Sequence, residues 1–167
     1  AAAGILSSAA MVDLYSQIYA DQEISGDWAT RATNLRDAYV GSDAGARLAA
    51  MRLLWDDATG EPQRYSRLVL TAYAAARMPV DSGLAASAPD LIASMLSAGL
   101  DRNAIRWASQ ADVGSLEWAM LALAAPNRSA PVEESALKDF QGRDRSEKAR
   151  KSAFLLAGLA GLDRVTP

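Results

Sequence analysis

Glycine and proline divide this chain into short segments of similar length, and no other feature of the sequence constrains the fold as strongly. The breaks recur every 12 to 23 residues, at Gly26, Gly41, Gly60, Gly83, Gly99, Gly114, Pro126, Gly142 and Gly161. Between them, 36 of the 167 residues are Ala, the residue with the highest intrinsic helix propensity. Each segment has room for one helix and one turn, so the sequence predicts an all-α fold of about eight or nine short helices.

Apolar residues within the segments recur at three- and four-residue spacings, which place them on one face of a helix. The predicted faces are Met11, Leu14, Tyr15 and Ile18; Trp28, Ala32, Leu35 and Tyr39; Leu48, Met51 and Trp55; and Tyr65, Leu68, Val69, Ala72, Tyr73 and Ala76. Residues 116–125 and 154–160 are apolar almost all round. We expect these two segments to be central helices that are covered on several sides.

Short helices joined by tight turns pack either as an open array of helical hairpins or as a closed orthogonal bundle. We expect an irregular antiparallel array, similar in style to superhelical repeat proteins. Only residues 136–140 resemble part of the tetratricopeptide pattern, and no single repeat period governs the chain. The sequence therefore predicts one all-α domain over residues 1–167, with the closed bundle as the alternative and no family assigned.

The pentapeptide AGLDR occurs at residues 98–102 and again at residues 160–164. Its Gly suits the left-handed position after a helix, its Leu suits the apolar position that follows, and its Asp can cap the next helix. Each copy therefore predicts a corner between two helices, with Leu100 and Ile105 spaced as a hydrophobic staple at the first. A helix that starts at Asp163 would make the sequence an excerpt of a longer helical protein, whereas chance recurrence of a favourable turn is the alternative.

The composition narrows the range of possible functions. The chain has no Cys and no His, so disulfides, thiolate ligands, the usual general base and the commonest metal ligand are all missing. We therefore expect no cofactor and no metal site. A net charge of −3 argues against binding to nucleic acid, and no apolar stretch is long enough for a membrane span. Cytoplasm and periplasm both stay open as compartments.

Two acidic segments are candidate sites. The sequence DQEISGD at residues 21–27 resembles the start of a calcium-binding loop, but Ala32 stands where such a loop needs a bidentate Glu. We expect a capped turn there instead. Asp56 and Asp57, with Glu61 nearby, could bind a cation or perform acid–base chemistry. We favour a solvated turn in which one Asp pairs with Arg52 or caps the next helix.

Arginine and tyrosine suggest one binding surface in the first half of the chain. Residues 1–130 contain ten Arg and no Lys, and all five Tyr lie at or before Tyr73. Arg and Tyr are the side chains that most often anchor protein and peptide interfaces. The candidate surface consists of Arg47, Arg52, Arg64, Arg67, Tyr65, Tyr73 and Trp55. The alternative is a compositional bias toward Arg with ordinary core tyrosines.

The most basic segment is GRDRSEKARK, residues 142–151, with five cations and two anions. Asp144, Ser146 and Glu147 resemble a capping box, as do Ser87 and Asp90. We expect residues 142–151 to be the solvated first turns of a helix, with Glu147 paired to Lys151.

Two functional hypotheses follow from these observations. The first is a noncatalytic helical-repeat-like module for protein–protein interaction or scaffolding, which binds a protein, a peptide or another region of its own longer chain. The second is a helical substrate-positioning domain of an enzyme, for example in the cell envelope, that uses Asp56, Asp57 and Glu61. The first is favoured because the sequence shows no convincing cluster of catalytic side chains.

Overall fold

The computed structural model describes residues 7–126 and 131–165, which form nine α-helices and no strand. The helices are α1 (Ser8–Ala20), α2 (Asp27–Val40), α3 (Ala44–Asp56), α4 (Glu61–Ala76), α5 (Ala88–Leu96), α6 (Asp101–Ile105), α7 (Leu116–Ala124), α8 (Glu134–Arg143) and α9 (Arg150–Gly161). Short 3-10 turns occupy Ser82–Ser87, Arg106–Gln110 and Glu147–Ala149. None of these helices combines the length and the apolar character of a membrane span. The prediction of an all-α fold with eight or nine helices is confirmed.

The chain divides into two compact units. Unit 1 consists of Ala1–Pro79 with Ser97–Gly99 and contains α1 to α4. Unit 2 consists of Val80–Leu96 with Leu100–Pro167 and contains α5 to α9. A single domain and a repeat-like array both stay predictions.

The four helices of unit 1 close around a shared core. α1 packs against both α2 and α4, and α3 lies against α2 and α4. The buried core contains Tyr15, Ala32, Leu35, Leu54 and Leu70. Since the first and the last helix are in contact, the packing within this unit favours a closed bundle over an open stack.

The predicted apolar faces of unit 1 are buried at their centres and exposed at their edges. Ala32 and Leu35 on α2 and Val69 on α4 are buried, as expected. Trp28 and Tyr65, at the edges of the same faces, are about half exposed. Large rings with polar atoms suit this edge position, because the ring covers apolar surface while its polar atom contacts water.

In unit 2, α7, α8 and α9 share a second core. α9 packs against α7 and α8, and the core is built from Ala119, Ala122, Val132, Ala136, Phe140, Leu155 and Leu159. The prediction that residues 154–160 are covered on several sides is wrong, because Phe154 is 69% exposed and Leu156 is also exposed. Leu155 and Leu159, one turn apart, are the buried residues of α9 in this core.

The first AGLDR copy forms the predicted corner. Gly99 has φ +70°, and the amide of Leu100 donates to the carbonyl of Met95 at 3.0 Å, the bond of a Schellman motif. The predicted cap is wrong, however, since Leu100 itself occupies the capping position and the Asp101 side chain makes no cap hydrogen bond. Asp101 is instead the first residue of α6.

The second copy takes a different register. α9 continues through Gly161, and Asp163 adopts the left-handed conformation with φ +53°. The amide of Arg164 then donates to the carbonyl of Leu159 at 2.8 Å. The same type of motif thus closes α9 two residues later than the sequence predicts, and the helix start predicted at Asp163 is wrong.

The position of Arg164 explains this change of register. α7 ends before Pro126, which has no N–H to donate to the last helical carbonyls. The Arg164 guanidinium supplies these donors to the carbonyls of Ala122 at 2.8 Å, Leu123 at 2.6 Å and Ala125. The chain therefore turns back at Asp163 to place one cation at the end of α7, where the helix dipole also favours a positive charge.

Residues 144–149 form a tight loop between α8 and α9, not the first turns of a helix. Lys148 and Ala149 both have positive φ, at 53° and 51°. These two left-handed residues interrupt the helical path, so the predicted face that would pair Glu147 with Lys151 does not form. Ser87 ends the 3-10 turn that directly precedes α5, and its capping role stays a prediction.

Candidate functional site

Part of the predicted Arg and Tyr surface lies away from solvent. Trp55 is only 1% exposed, and its Nε1 donates to the buried Thr71 Oγ1 at 2.9 Å. The expectation that Trp55 belongs to an accessible surface is therefore wrong, because the ring fills the interface between α3 and α4. Arg47 turns toward the start of its own helix, where Nε donates to the carbonyl of Asp43 at 3.3 Å.

The other predicted residues are spread over α3 and α4. Arg52 is exposed on α3, and Tyr65 and Tyr73 are exposed on α4. Arg64 Nη1 donates to the carbonyl of Trp55 at 3.4 Å, beside the end of α3. Their role in binding stays a prediction.

The acidic pair at the end of α3 is divided between different partners. Asp57 accepts from Arg31 through both oxygens, at 2.6 Å from Nε to Oδ2 and 3.4 Å from Nη2 to Oδ1. Asp56 lies 4.0 Å from Arg64 Nη1 and is largely exposed. Neither Asp caps α4, whose capping residue is Gly60, and the predicted pairing of one of the two carboxylates with Arg52 stays a prediction.

Asp57 is the centre of an ion-pair network that joins the helices of unit 1. Arg67 Nη2 on α4 lies 3.6 Å from Asp57 Oδ2, and Arg67 Nη1 donates to the hydroxyl of Tyr15 on α1 at 3.1 Å. The hydrogen bonds and charge of Arg31 lower the pKa of the Asp57 carboxyl below its ordinary value. A carboxylate held ionised between two guanidinium groups is suited to structural support rather than to proton transfer.

Arg31 continues this network onto the surface of α2. Its guanidinium carbon lies 5.6 Å from the centre of the Trp28 ring, and its Nη2 lies 3.6 Å from Asp27 Oδ2. The Trp28 ring is tilted against the Tyr15 ring, with 6.2 Å between their centres. No sequence pattern connects Arg31 with Asp57, because they are 26 residues apart and the packing of α2 on α3 joins them.

A concave surface of unit 1 consists of two adjoining cavities beside α1, which we name the tyrosine groove. The first, between α1 and α2, has a volume of about 250 Å³ and is lined by Val12, Tyr15, Tyr19, Leu35, Arg36 and Tyr39 among others. The second has a volume of about 450 Å³ and is lined by Ser7, Ser8, Ala9, Val12, Asp13, Tyr39 and Tyr73. Val12 and Tyr39 belong to both walls, so the cavities are neighbours.

Hydrogen bonding and charge hold the walls of the tyrosine groove in place. The Tyr39 hydroxyl donates to the carbonyl of Leu70 at 3.2 Å, and burial raises the pKa of this phenol. The Arg36 guanidinium carbon lies 5.0 Å from the centre of the Tyr19 ring. The groove thus offers aromatic rings, one cation and, at its other end, the carboxylate of Asp13.

Of the seven predicted residues, the tyrosine groove includes Tyr73. Sequence reasoning had placed Tyr15 and Tyr39 on apolar faces and had not selected Tyr19 or Arg36. The spacing of Tyr15 and Tyr19, one helical turn apart, was an available signal. That they face α2 depends on the packing, which the pattern alone does not contain.

The acidic turn at residues 21–26 connects α1 and α2. The Asp21 carboxylate accepts from the amide of Glu23 at 2.9 Å, and Gly26 has φ +74° just before α2 begins. Ala32, the twelfth position counted from Asp21 in the calcium-loop pattern, lies inside α2. Among residues 7–126 and 131–165, no group of three acidic side chains is placed to hold a metal ion.

No protein-family model, curated protein or solved structure matches this chain. The tyrosine groove combines a concave shape with exposed aromatic and cationic side chains, which are common at recognition surfaces.

Proposed function

We propose that the chain is a noncatalytic protein-interaction module and that the tyrosine groove binds a peptide segment of a protein partner. The observation that carries this proposal is the groove itself, two adjoining cavities that share Val12 and Tyr39. At their rims, Tyr19 is 46% exposed and Tyr73 is 52% exposed. Rings in this position expose apolar surface to water in the free protein and bury that surface in a complex.

The chemistry of the walls defines the partner. Tyrosine contributes a large rigid ring with few rotatable bonds, so its ordering on binding costs little entropy. An apolar side chain of the partner would enter between Tyr15, Tyr19 and Leu35. A neighbouring carboxylate would pair with Arg36 in competition with Asp37, whose Oδ1 lies 3.4 Å from Arg36 Nη1 in an exposed pair. We therefore infer a partner segment that combines an apolar anchor with an acidic residue.

The enzyme hypothesis gains no comparable support. Of its three proposed carboxylates, Asp57 is engaged by Arg31 and Arg67, and Asp56 is directed toward Arg64. Glu61 is exposed at the first turn of α4, where its charge complements the helix dipole. The three side chains thus have separate structural surroundings.

A peptide-display selection against the intact chain tests the proposal. We expect enriched sequences to contain an apolar residue next to Asp or Glu. The affinity of a selected peptide should fall by about tenfold or more in Tyr19→Ala and in Arg36→Gln, since each removes an interface anchor. The dissociation constants are measured by titration calorimetry, and circular dichroism verifies that each variant keeps its helix content.

Tyr65→Ala is the matched control, because Tyr65 is equally exposed on the same unit but does not line the tyrosine groove. Its affinity for the selected peptide should equal that of the unchanged chain. Selection of peptides that lose affinity in Tyr65→Ala and Arg64→Ala, and not in Tyr19→Ala, would assign binding to the surface predicted from the sequence. Failure to enrich any peptide would contradict the proposal.

A further inference from the structure

A second concave surface, in unit 2, is lined by cations. It has a volume of about 490 Å³ and lies where the start of α7 meets the loop between α8 and α9. Arg143, Arg145 and Lys151 line it, together with Ser115, Leu116 and Phe140. We name it the basic cavity. It is independent of the tyrosine groove and of the function proposed for that groove.

One carboxylate, Asp144, also lines the basic cavity, but its oxygens are already engaged. Oδ1 accepts from the amide and hydroxyl of Ser146 at 2.8 and 2.6 Å, and Oδ2 accepts from the amide and hydroxyl of Ser152 at 2.8 and 2.7 Å. These hydrogen bonds hold the pKa of the Asp144 carboxyl far below its ordinary range, and the bond from the Ser146 hydroxyl has the largest effect. Asp144 therefore organises the start of α9 rather than pairing with the neighbouring cations.

The cations of the basic cavity lack counter-charges. Within the part of the chain that the structure describes, neither Arg143 nor Lys151 lies within 4.0 Å of a carboxylate oxygen. Arg145 Nη1 donates to the carbonyl of Gly142 at 2.8 Å, which positions its guanidinium without neutralising it. Lys138 on α8 differs from them, since its Nζ lies 2.8 Å from Glu134 Oε1. The cavity thus has a local positive surplus on a chain of net charge −3.

The other wall of the basic cavity is fixed by close packing. Gly114 has φ +77°, and a Cβ at this position would lie 2.6 Å from the Cβ of Asp139. Only glycine therefore lets the start of α7 approach α8 this closely. Ser115 then caps α7 by accepting from the amide of Trp118 at 3.2 Å, and Leu116 presents an exposed apolar side chain beside the cations.

We propose that the basic cavity binds a small phosphate ester whose phosphate contacts Arg143, Arg145 and Lys151 and whose apolar portion contacts Leu116. Two guanidinium groups suit the three oxygens of a phosphate dianion, because each can donate two parallel hydrogen bonds. The ammonium of Lys151 adds a third positive charge to the lining of the cavity. A carboxylate carries one charge and two oxygens, so it leaves part of this donor set without a partner.

Phenyl phosphate is the probe, because it joins a phosphate to an apolar ring. Isotope-labelled chain is titrated with phenyl phosphate, inorganic phosphate and benzoate, and amide chemical shifts are followed by NMR. We expect shifts at residues 114–116 and 143–151, with phenyl phosphate bound most tightly and benzoate most weakly. Affinity should decrease as ionic strength rises, since added salt screens the charges.

The double variant Arg143→Gln and Lys151→Gln should bind phenyl phosphate about tenfold or more weakly than the unchanged chain, because two charge-assisted contacts are lost. Lys138→Gln is the matched control, because Lys138 is exposed and already paired with Glu134. Its affinity for phenyl phosphate should stay within about twofold of that of the unchanged chain. The proposal is overturned if no shifts map to the basic cavity, if benzoate binds as tightly as phenyl phosphate, or if the double variant binds normally. All three substitutions lie on the surface, so the dispersion of the NMR spectrum verifies that the fold is intact.

Discussion

Asp57, at the end of α3, forms ion pairs with arginines from α2 and α4. Its carboxylate receives Arg31 from α2 and Arg67 from α4, and Arg67 in turn contacts Tyr15 on α1. Both arginine side chains are largely covered, so they could not recover full hydration if the carboxylate were removed. An ion pair of this kind contributes more than a typical exposed pair.

We expect Asp57→Asn to lower the free energy of unfolding by about 1 to 2 kcal/mol near neutral pH, since it removes the charge that satisfies two part-buried guanidinium groups. Urea unfolding followed by circular dichroism measures the change. Asp37→Asn is the control, because Asp37 forms an exposed pair with Arg36 and its loss should have little effect. Equal losses in the two variants would contradict a special role for Asp57.

The pH dependence of this contribution follows from the direction of the pKa shift. Because Arg31 holds the pKa of Asp57 below its ordinary value in the folded chain, the stabilisation is complete above the unfolded-state pKa. It is lost as the pH falls through the folded-state pKa. The stability difference between the unchanged chain and Asp57→Asn should therefore shrink in acid, whereas a constant difference would point to a purely steric effect.

For single residues, the sequence predicts which side chains are charged or apolar, but it does not predict which side chains contact each other. The sequence predicts that Asp56 or Asp57 pairs with Arg52, a neighbour on the same helix, and it does not connect Asp57 with Arg31. Arg31 reaches Asp57 only through the packing of α2 on α3. Trp55 was misplaced on the surface for a similar reason, since its partner Thr71 lies 16 residues away on α4.

At the scale of helices and turns, prediction succeeded for the number of helices and failed for several of their ends. The pattern of Gly and Pro breaks gave the helix count, because a break requires only local backbone chemistry. The two AGLDR copies show that local sequence does not determine the residue at which a helix ends. Gly99 takes the left-handed position in the first copy, whereas Asp163 takes it in the second. The difference lies outside the pentapeptide, in the carbonyls of α7 that Arg164 reaches.

We expect Arg164→Met to destabilise the chain by about 1 to 3 kcal/mol, because it leaves the terminal carbonyls of α7 without their donors. Amide hydrogen exchange at residues 119–125 should also accelerate, since fraying would begin at this end of the helix. Arg150→Met is the matched control, because Arg150 is exposed at the start of α9. Unchanged exchange in α7 of Arg164→Met would show that water replaces the guanidinium without loss.

For the whole molecule, each of the two compact units has a buried core of its own. Leu54 belongs to the core of unit 1 and Leu159 to that of unit 2, and both are fully buried. The sequence predicted a single domain because one hydrophobic core is usual at this length. Cooperative unfolding is the property that tests this prediction.

We expect Leu54→Ala and Leu159→Ala each to cost about 2 to 5 kcal/mol through the cavity that each creates. If residues 1–167 form one cooperative domain, both variants should shift the same single calorimetric transition to lower temperature. Scanning calorimetry of the two variants and of the unchanged chain makes the measurement. Two separate transitions, each moved by only one of the variants, would contradict the single-domain prediction.

The buried tryptophans have a practical consequence for such experiments. Trp55 in unit 1 and Trp107 in unit 2 are both enclosed, whereas Trp28 on α2 is half exposed beside Arg31. Indole emission moves to longer wavelength when water reaches the ring, so each interior carries its own fluorescent reporter. Replacing Trp107 and the part-buried Trp118 with Phe leaves Trp55 as the enclosed reporter of unit 1, and the half-exposed Trp28 is the target for a soluble quencher.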